Sequence, residues 1–161
     1  MKLFAAGLWL SLIFTTPAQA AIVLFTVNLS GAQEVSPVIG DPDGTGVALL
    51  TFDSVLNTVE WLITTNNIDL PLTAAHIHNA VAGLNGPVKI NFSAQLSSGG
   101  FPLFDTDVAA ILANPSAYYV NLHNANFPAG AIRGQLVPEP GTLALLGLGL
   151  AGLGLSRRRK A

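Results

Sequence analysis

Apolar positions along this chain follow two patterns. Residues 3–14 and 141–155 are uncharged, predominantly apolar runs, whereas the stretch between them is cut into short segments by turn-forming residues. Residues 22–29, 46–52, 58–65, 74–78, 87–94, 118–123 and 131–137 are rich in β-branched, aliphatic and aromatic side chains. Between them stand Ser30-Gly31, Asp41-Pro42-Asp43-Gly44, Asn66-Asn67, Pro71 and Ser97-Ser98-Gly99-Gly100. Six or seven short runs with turn chemistry between them predict an all-β, antiparallel, Greek-key-like sandwich or barrel. Residues 107–113 alone predict a helix, with Asp105 or Thr106 as N-cap and Asn114-Pro115 as its end. Trp61, central in its run, belongs to the core.

The two terminal runs predict hydrophobic helices outside this domain. Lys2, the apolar run after it and Ala18-Gln19-Ala20 compose a secretion signal at 1–20, cleaved between Ala20 and Ala21. The folded domain is then 21–137. The tail, 138–161, opens with Pro138-Glu139-Pro140 and closes with Arg157-Arg158-Arg159-Lys160. Its apolar segment, 141–155, spans roughly 22 Å as a helix, short of the roughly 30 Å hydrocarbon core of a bilayer. Four glycines at 147, 149, 152 and 154 weaken it further. The basic end stays on the cytoplasmic side, so the segment suits a transient transmembrane anchor in the inner membrane. This Pro-Glu-Pro start, short apolar stretch and Arg-rich end resemble the PEP-CTERM sorting signal. The resemblance implies recognition by an exosortase, removal of the tail and delivery to the periplasm, outer envelope or extracellular matrix. It also implies exopolysaccharide or another envelope protein as a partner.

Alternation along the strands decides which side chains share a face. In residues 74–78 the imidazoles of His76 and His78 point to one side and Ala75 and Ile77 to the other. In residues 119–123, Tyr119, Asn121 and His123 share a face opposite Val120 and Leu122; in 132–136, Arg133 and Gln135 share one. A His-x-His pair with a third histidine from a neighbouring strand gives the three-nitrogen set with an open position that zinc or copper accepts. The same residues also read as hydrogen-bonded strand histidines with no ion.

Charge narrows the partners. Between the two ends only Lys89 and Arg133 are basic, against Glu34, Asp41, Asp43, Asp53, Glu60, Asp69, Asp105 and Asp107, a net of −6. Such a domain lacks the basic footprint that a phosphate backbone requires, so no nucleic acid partner is expected. The chain has no cysteine, hence no disulfide and no thiol nucleophile, and no Gly-x-Ser-x-Gly elbow is present. Asp41-Pro42-Asp43-Gly44 lacks the later ligands of a twelve-residue calcium loop and reads as a turn. Glu34 reads as a loop anchor accepting hydrogen bonds from backbone amides.

Residues 29–35 (Leu-Ser-Gly-Ala-Gln-Glu-Val), Gly44-Thr45-Gly46, residues 74–78, Gly86-Pro87-Val88, residues 119–123 and residues 127–136 together resemble the CHRD domain, first named from chordin. The resemblance runs from about Phe25 to Leu136. It departs at Ser36, where the family prefers proline, and at Ala131, where it prefers an acid that would sit near Arg133. No catalytic activity follows from the family as a class. The order of His76, His78, His123 and a later arginine is also similar to the copper ligands of copper/zinc superoxide dismutases, which are β-sandwiches. That similarity implies His76, His78 and His123 as metal ligands and Arg133 as an anion or ligand contact; the bridging histidine and the cysteine pair have no counterpart. The leading expectation is an exported, non-catalytic binding module whose histidines are either structural or hold a stabilising copper or zinc ion; the alternative is a mononuclear copper or zinc metalloenzyme.

Overall fold

A computed structural model of the chain describes residues 22–92, 96 and 102–137. Eight strands fill this span: β1 (Ile22–Ser30), β2 (Thr45–Asp53), β3 (Thr58–Asn66), β4 (Leu72–Asn79), β5 (Val88–Asn91), β6 (Leu103–Phe104), β7 (Tyr118–Asn124) and β8 (Ile132–Gln135). All pairings between them are antiparallel. They form one sheet in the order β5-β4-β7-β8-β1-β2-β3-β6. Two four-stranded halves meet where Ser30 of β1 pairs with Arg133 of β8.

Hydrophobic alternation curls this sheet into a half-barrel. Phe25, Val27 and Leu29 of β1, Ala48, Leu50 and Phe52 of β2, and Val59, Trp61 and Ile63 of β3 all face inward. From the other half, Ala75, Ile77, Ile90, Val120, Leu122 and Ile132 face the same core. The halves therefore oppose one another as the layers of a sandwich do. Trp61 and Phe92 stack across the core with ring centroids 4.1 Å apart, and Phe25 meets Phe52 edge to face at 5.7 Å. The β2–β3 turn is written in local chemistry. Asp53 Oδ1 accepts hydrogen bonds from the amides of Val55 and Leu56, and Asn57 takes the left-handed conformation, φ 51°.

The all-β antiparallel expectation is met, with local differences. The pair of residues in β6, which bonds to Thr58 and Val59, is too short to leave a period in the sequence. The expected strand at 87–94 shortens to Val88–Asn91. The helix, α1 (Val108–Ala113), starts after Asp107, whose side chain makes no capping bond. Asp105 Oδ1 instead accepts from the Asp107 amide at 2.8 Å, and Pro115 opens a 3-10 turn beyond the helix. The expected terminal helices, Ala20, Ala21, Pro138, Glu139 and Pro140 lie outside the described residues. No helix among the described residues is long and apolar enough to cross a membrane.

Candidate metal centre

The β4, β7 and β8 faces turned away from the core carry the polar residues singled out above. Pairing sets His76 opposite Asn121 and Asn121 opposite Arg133; it sets His78 opposite Tyr119 and Tyr119 opposite Gln135. Ala74 is opposite His123. An outer sheet face would ordinarily be solvated, yet every residue of β7 is buried. The reason is a roof of loops over it. Asn85 Nδ2 donates to the Val35 carbonyl at 2.9 Å, which ties the loop after β4 to the loop after β1. Gln135 donates to Ala80 at 2.9 Å and to Tyr118 at 2.8 Å, and Gly86 N–H to the Tyr119 hydroxyl at 3.3 Å.

Under that roof the three histidines converge. One ring nitrogen from each of His76, His78 and His123 lies within 4.8 Å of the other two. His76 Nδ1 is 3.1 Å from His123 Nε2. Tetrahedral coordination at about 2.0–2.1 Å puts ligand nitrogens about 3.3 Å apart. The His76–His123 pair already has that spacing, and the widest pair needs to close by at most about 1.5 Å.

Backbone carbonyls select the tautomers. His78 Nδ1 faces the Gly86 carbonyl at 2.9 Å and His123 Nδ1 faces the Pro128 carbonyl at 3.1 Å. A carbonyl only accepts, so each Nδ1 carries the proton and each Nε2 presents its lone pair. Burial lowers all three histidines below their ordinary value, His76 to about 4 with help from its two neighbours. The trio is therefore neutral at pH 7, the form that binds a metal. Without an ion, His76 Nδ1 donates to the His123 lone pair. A metal ion would take the place of that proton, with His76 shifting it to Nε2.

Arg133 is 2% exposed. Its guanidinium carbon lies 3.4 Å over the centre of the Tyr119 ring, and that ring stacks on His78 with centroids 4.8 Å apart. Two of its donors reach the loop after β4, Nη2 to the Leu84 carbonyl at 2.8 Å and Nη1 to Asn85 Oδ1 at 3.1 Å. Both of these acceptors are neutral; the carboxyl that acts on Arg133 electrostatically is that of Glu34. Asp41-Pro42-Asp43-Gly44 is a turn, closed by Gly44 N–H to the Asp41 carbonyl and held to the residue just before β8 by Asp41 N–H to the Ala131 carbonyl at 2.8 Å.

Glu34 departs from its expected role. Both carboxyl oxygens are sealed from solvent and make no hydrogen bond among the described residues, so they anchor no loop. Burial raises this carboxyl to about 7, against a smaller opposing pull from Arg133. No residue pattern around Glu34 marks this, because its enclosure depends on how Gly40 and the distant Gly130 pack against it.

The family model of the CHRD domain matches residues 25–136, and that of the PEP-CTERM protein-sorting motif matches residues 136–160. No curated protein and no solved structure matches the chain.

Proposed function

The chain belongs to the CHRD-domain family and ends in a PEP-CTERM sorting motif, and from that premise we propose that it is an exported, exosortase-processed envelope or matrix protein whose CHRD domain holds one zinc or copper ion on His76, His78 and His123. In this reading the leader, 1–20, is cleaved at Ala20–Ala21. The tail, 138–161, presents Pro138, Glu139 and Pro140 to the exosortase while 141–155 lodges transiently in the inner membrane. The domain between them, 21–137, works as a binding module for exopolysaccharide or another envelope protein.

The observation that carries the metal reading is the meeting of three neutral imidazoles, two of them with tautomers set by backbone carbonyls. Structural ions and disulfides are alternative ways to secure a small exported domain, and this chain has no cysteine. Three histidines in the whole chain leave none for a bridging ligand or a second metal, which favours a binding module over a dismutase. Arg133, with two donors committed to the loop, supplies positive charge beside the centre for an anionic partner.

Elemental analysis of the purified protein tests this. One equivalent of zinc or copper is expected in the wild type, with loss in His76→Ala, His78→Ala and His123→Ala variants that remain folded by circular dichroism. Metal-free protein after loading attempts, or undiminished metal in all three variants, contradicts it.

A further inference from the structure

His78 is held on two sides. Its ring lies nearly parallel to that of Tyr119, with 9° between the planes and centroids 4.8 Å apart. The Arg133 guanidinium carbon sits 3.4 Å from the centre of the same Tyr119 ring, which leaves that face no room for a second planar group. His78 therefore takes the opposite face, and the three side chains stack in the order Arg133, Tyr119, His78. Strand register agrees, since Tyr119 of β7 has His78 of β4 on one side and β8, the strand of Arg133, on the other.

Three consecutive residues of the loop after β4 grip this stack in the same order. Leu84 and Asn85 accept from Arg133 at 2.8 and 3.1 Å, and the Gly86 amide donates to the Tyr119 hydroxyl at 3.3 Å. The Gly86 carbonyl then accepts from His78 Nδ1 at 2.9 Å. The loop itself is pinned to the end of β4. Asn79 N–H donates to the Pro87 carbonyl at 2.9 Å, and a Cβ on Gly86 would collide with the Asn79 carbonyl, so only glycine passes there. His78 Nε2 is sealed from solvent and has no partner among the described residues. Buried polar atoms are ordinarily paired, and an unrestrained ring would turn to find a donor. Here the stack and the Gly86 bond keep the ring in place and leave Nε2 free to complete the trio with His76 and His123.

Resting on the three-histidine reading, we propose that Tyr119 and Arg133 are positioning residues of the metal centre, which touch no ion and fix the His78 ring through the stack and the Leu84–Gly86 loop. The direction of the Arg133 effect separates positioning from charge. A cation beside the centre repels a metal ion, and the Arg133 charge already adds to the larger effect of burial in holding His78 below its ordinary value. Charge alone therefore predicts tighter zinc binding in Arg133→Met and no change in Arg133→Lys. Positioning predicts weaker binding in both, because neither side chain has the planar fork that holds Leu84 and Asn85.

Zinc affinity, measured at pH 7.5 by competition with a chromophoric chelator, tests this. Tyr119→Leu and Arg133→Met are expected to bind zinc about ten- to a hundredfold more weakly than wild type, and Arg133→Lys about tenfold more weakly. Tyr119→Phe keeps the stacked ring and gives up only one long hydrogen bond, so it is expected to stay within about threefold of wild type. Val59→Ala, a core change in the other half of the sheet, is expected to lower stability and leave zinc affinity unchanged, which a merely structural role for the stack would not distinguish from the other variants. In metal-free wild type the His78 Nδ1 proton should be protected from exchange in NMR spectra, and that protection should disappear in Tyr119→Leu. Should Tyr119→Leu fail to fold, Arg133→Lys and the wild-type proton carry the test. Wild-type zinc affinity in Arg133→Lys, tighter binding in Arg133→Met, or an unprotected His78 proton in wild type overturns the positioning role and leaves the histidine centre standing. A wild type that takes up no zinc removes the histidine reading, and this one with it.

Discussion

Glu34 makes a measurable prediction about the metal-free fold. Its carboxyl is raised from the usual 4.5 to about 7, chiefly because burial disfavours the charged form. The folded state therefore holds its proton more tightly than the unfolded state does. The stability tied to that proton is fully present below about pH 4.5 and is lost as pH rises through about 7. Taken at face value, the difference corresponds to about 3 kcal/mol of destabilisation in alkaline solution. Glu34 as a whole residue is half-buried, and solvent screening reduces the expectation to about 1–2 kcal/mol. Glutamine has the same shape and never ionises. Glu34→Gln should thus be about 1–2 kcal/mol more stable than the wild type at pH 8, and the gap should shrink to roughly half or less of that at pH 5. The histidines act in the opposite direction. Their protonation is resisted in the folded state, so both proteins lose stability as pH falls from about 6.5 toward 4. That loss is common to the two proteins and cancels in the difference. Urea unfolding of both proteins in chelator, at half-unit steps from pH 5 to 8, measures the gap. A gap that is constant with pH, or that widens on acidification, refutes the buried-carboxyl argument.

Further predictions concern the histidines, Arg133 and Gly130. Zinc at a hundredfold its dissociation constant should stabilise the protein by about 2.7 kcal/mol and raise the thermal midpoint by about 10 °C; His123→Ala should show no such rise in calorimetry. In metal-free protein at pH 7.5, two-bond proton–nitrogen NMR spectra should show His78 and His123 as Nδ1–H tautomers, since carbonyls accept from both; an Nε2–H form at either contradicts the ligand geometry. Arg133→Met should cost about 2–3 kcal/mol in urea unfolding, because the Leu84 carbonyl and Asn85 Oδ1 lose their donor and Tyr119 its cation; Arg133→Lys should restore less than half of it. Gly130→Ala should cost about 1–3 kcal/mol and be partly relieved in a Glu34→Ala background, since the new methyl group meets Glu34 Oε1; strict additivity of the two changes contradicts that contact.

Much of the fold was legible because its strands obey local rules. The inward run Phe25, Val27, Leu29 and the matching runs in β2 and β3 carry their period in the chain itself, and the β2–β3 turn is a local construction around Asp53 and Asn57. Seven of the eight strands follow such runs over most of their length. The short β6 does not, because two residues paired to Thr58 and Val59 hold too little pattern to separate from a loop. The face shared by His76, His78, His123 and Arg133 followed from alternation and from strand neighbours. What alternation lacks is the roof. Nothing local in Val35, Ala80 or Asn85 indicates that their loops cover β7, and so the outer face reads as solvated when it is buried. Glu34 was misread for the same reason: its side chain is enclosed across Gly40 and Gly130, six and ninety-six positions away.

The central claim is that three imidazole nitrogens share one ion, and the zinc K-edge absorption fine structure of the loaded protein tests it most directly. A first shell of three nitrogens with one oxygen at about 2.0–2.1 Å, with the outer-shell scattering of three imidazole rings, is the result this account requires. A shell of oxygens with one imidazole or none, as an ion held on surface carboxylates would give, contradicts it.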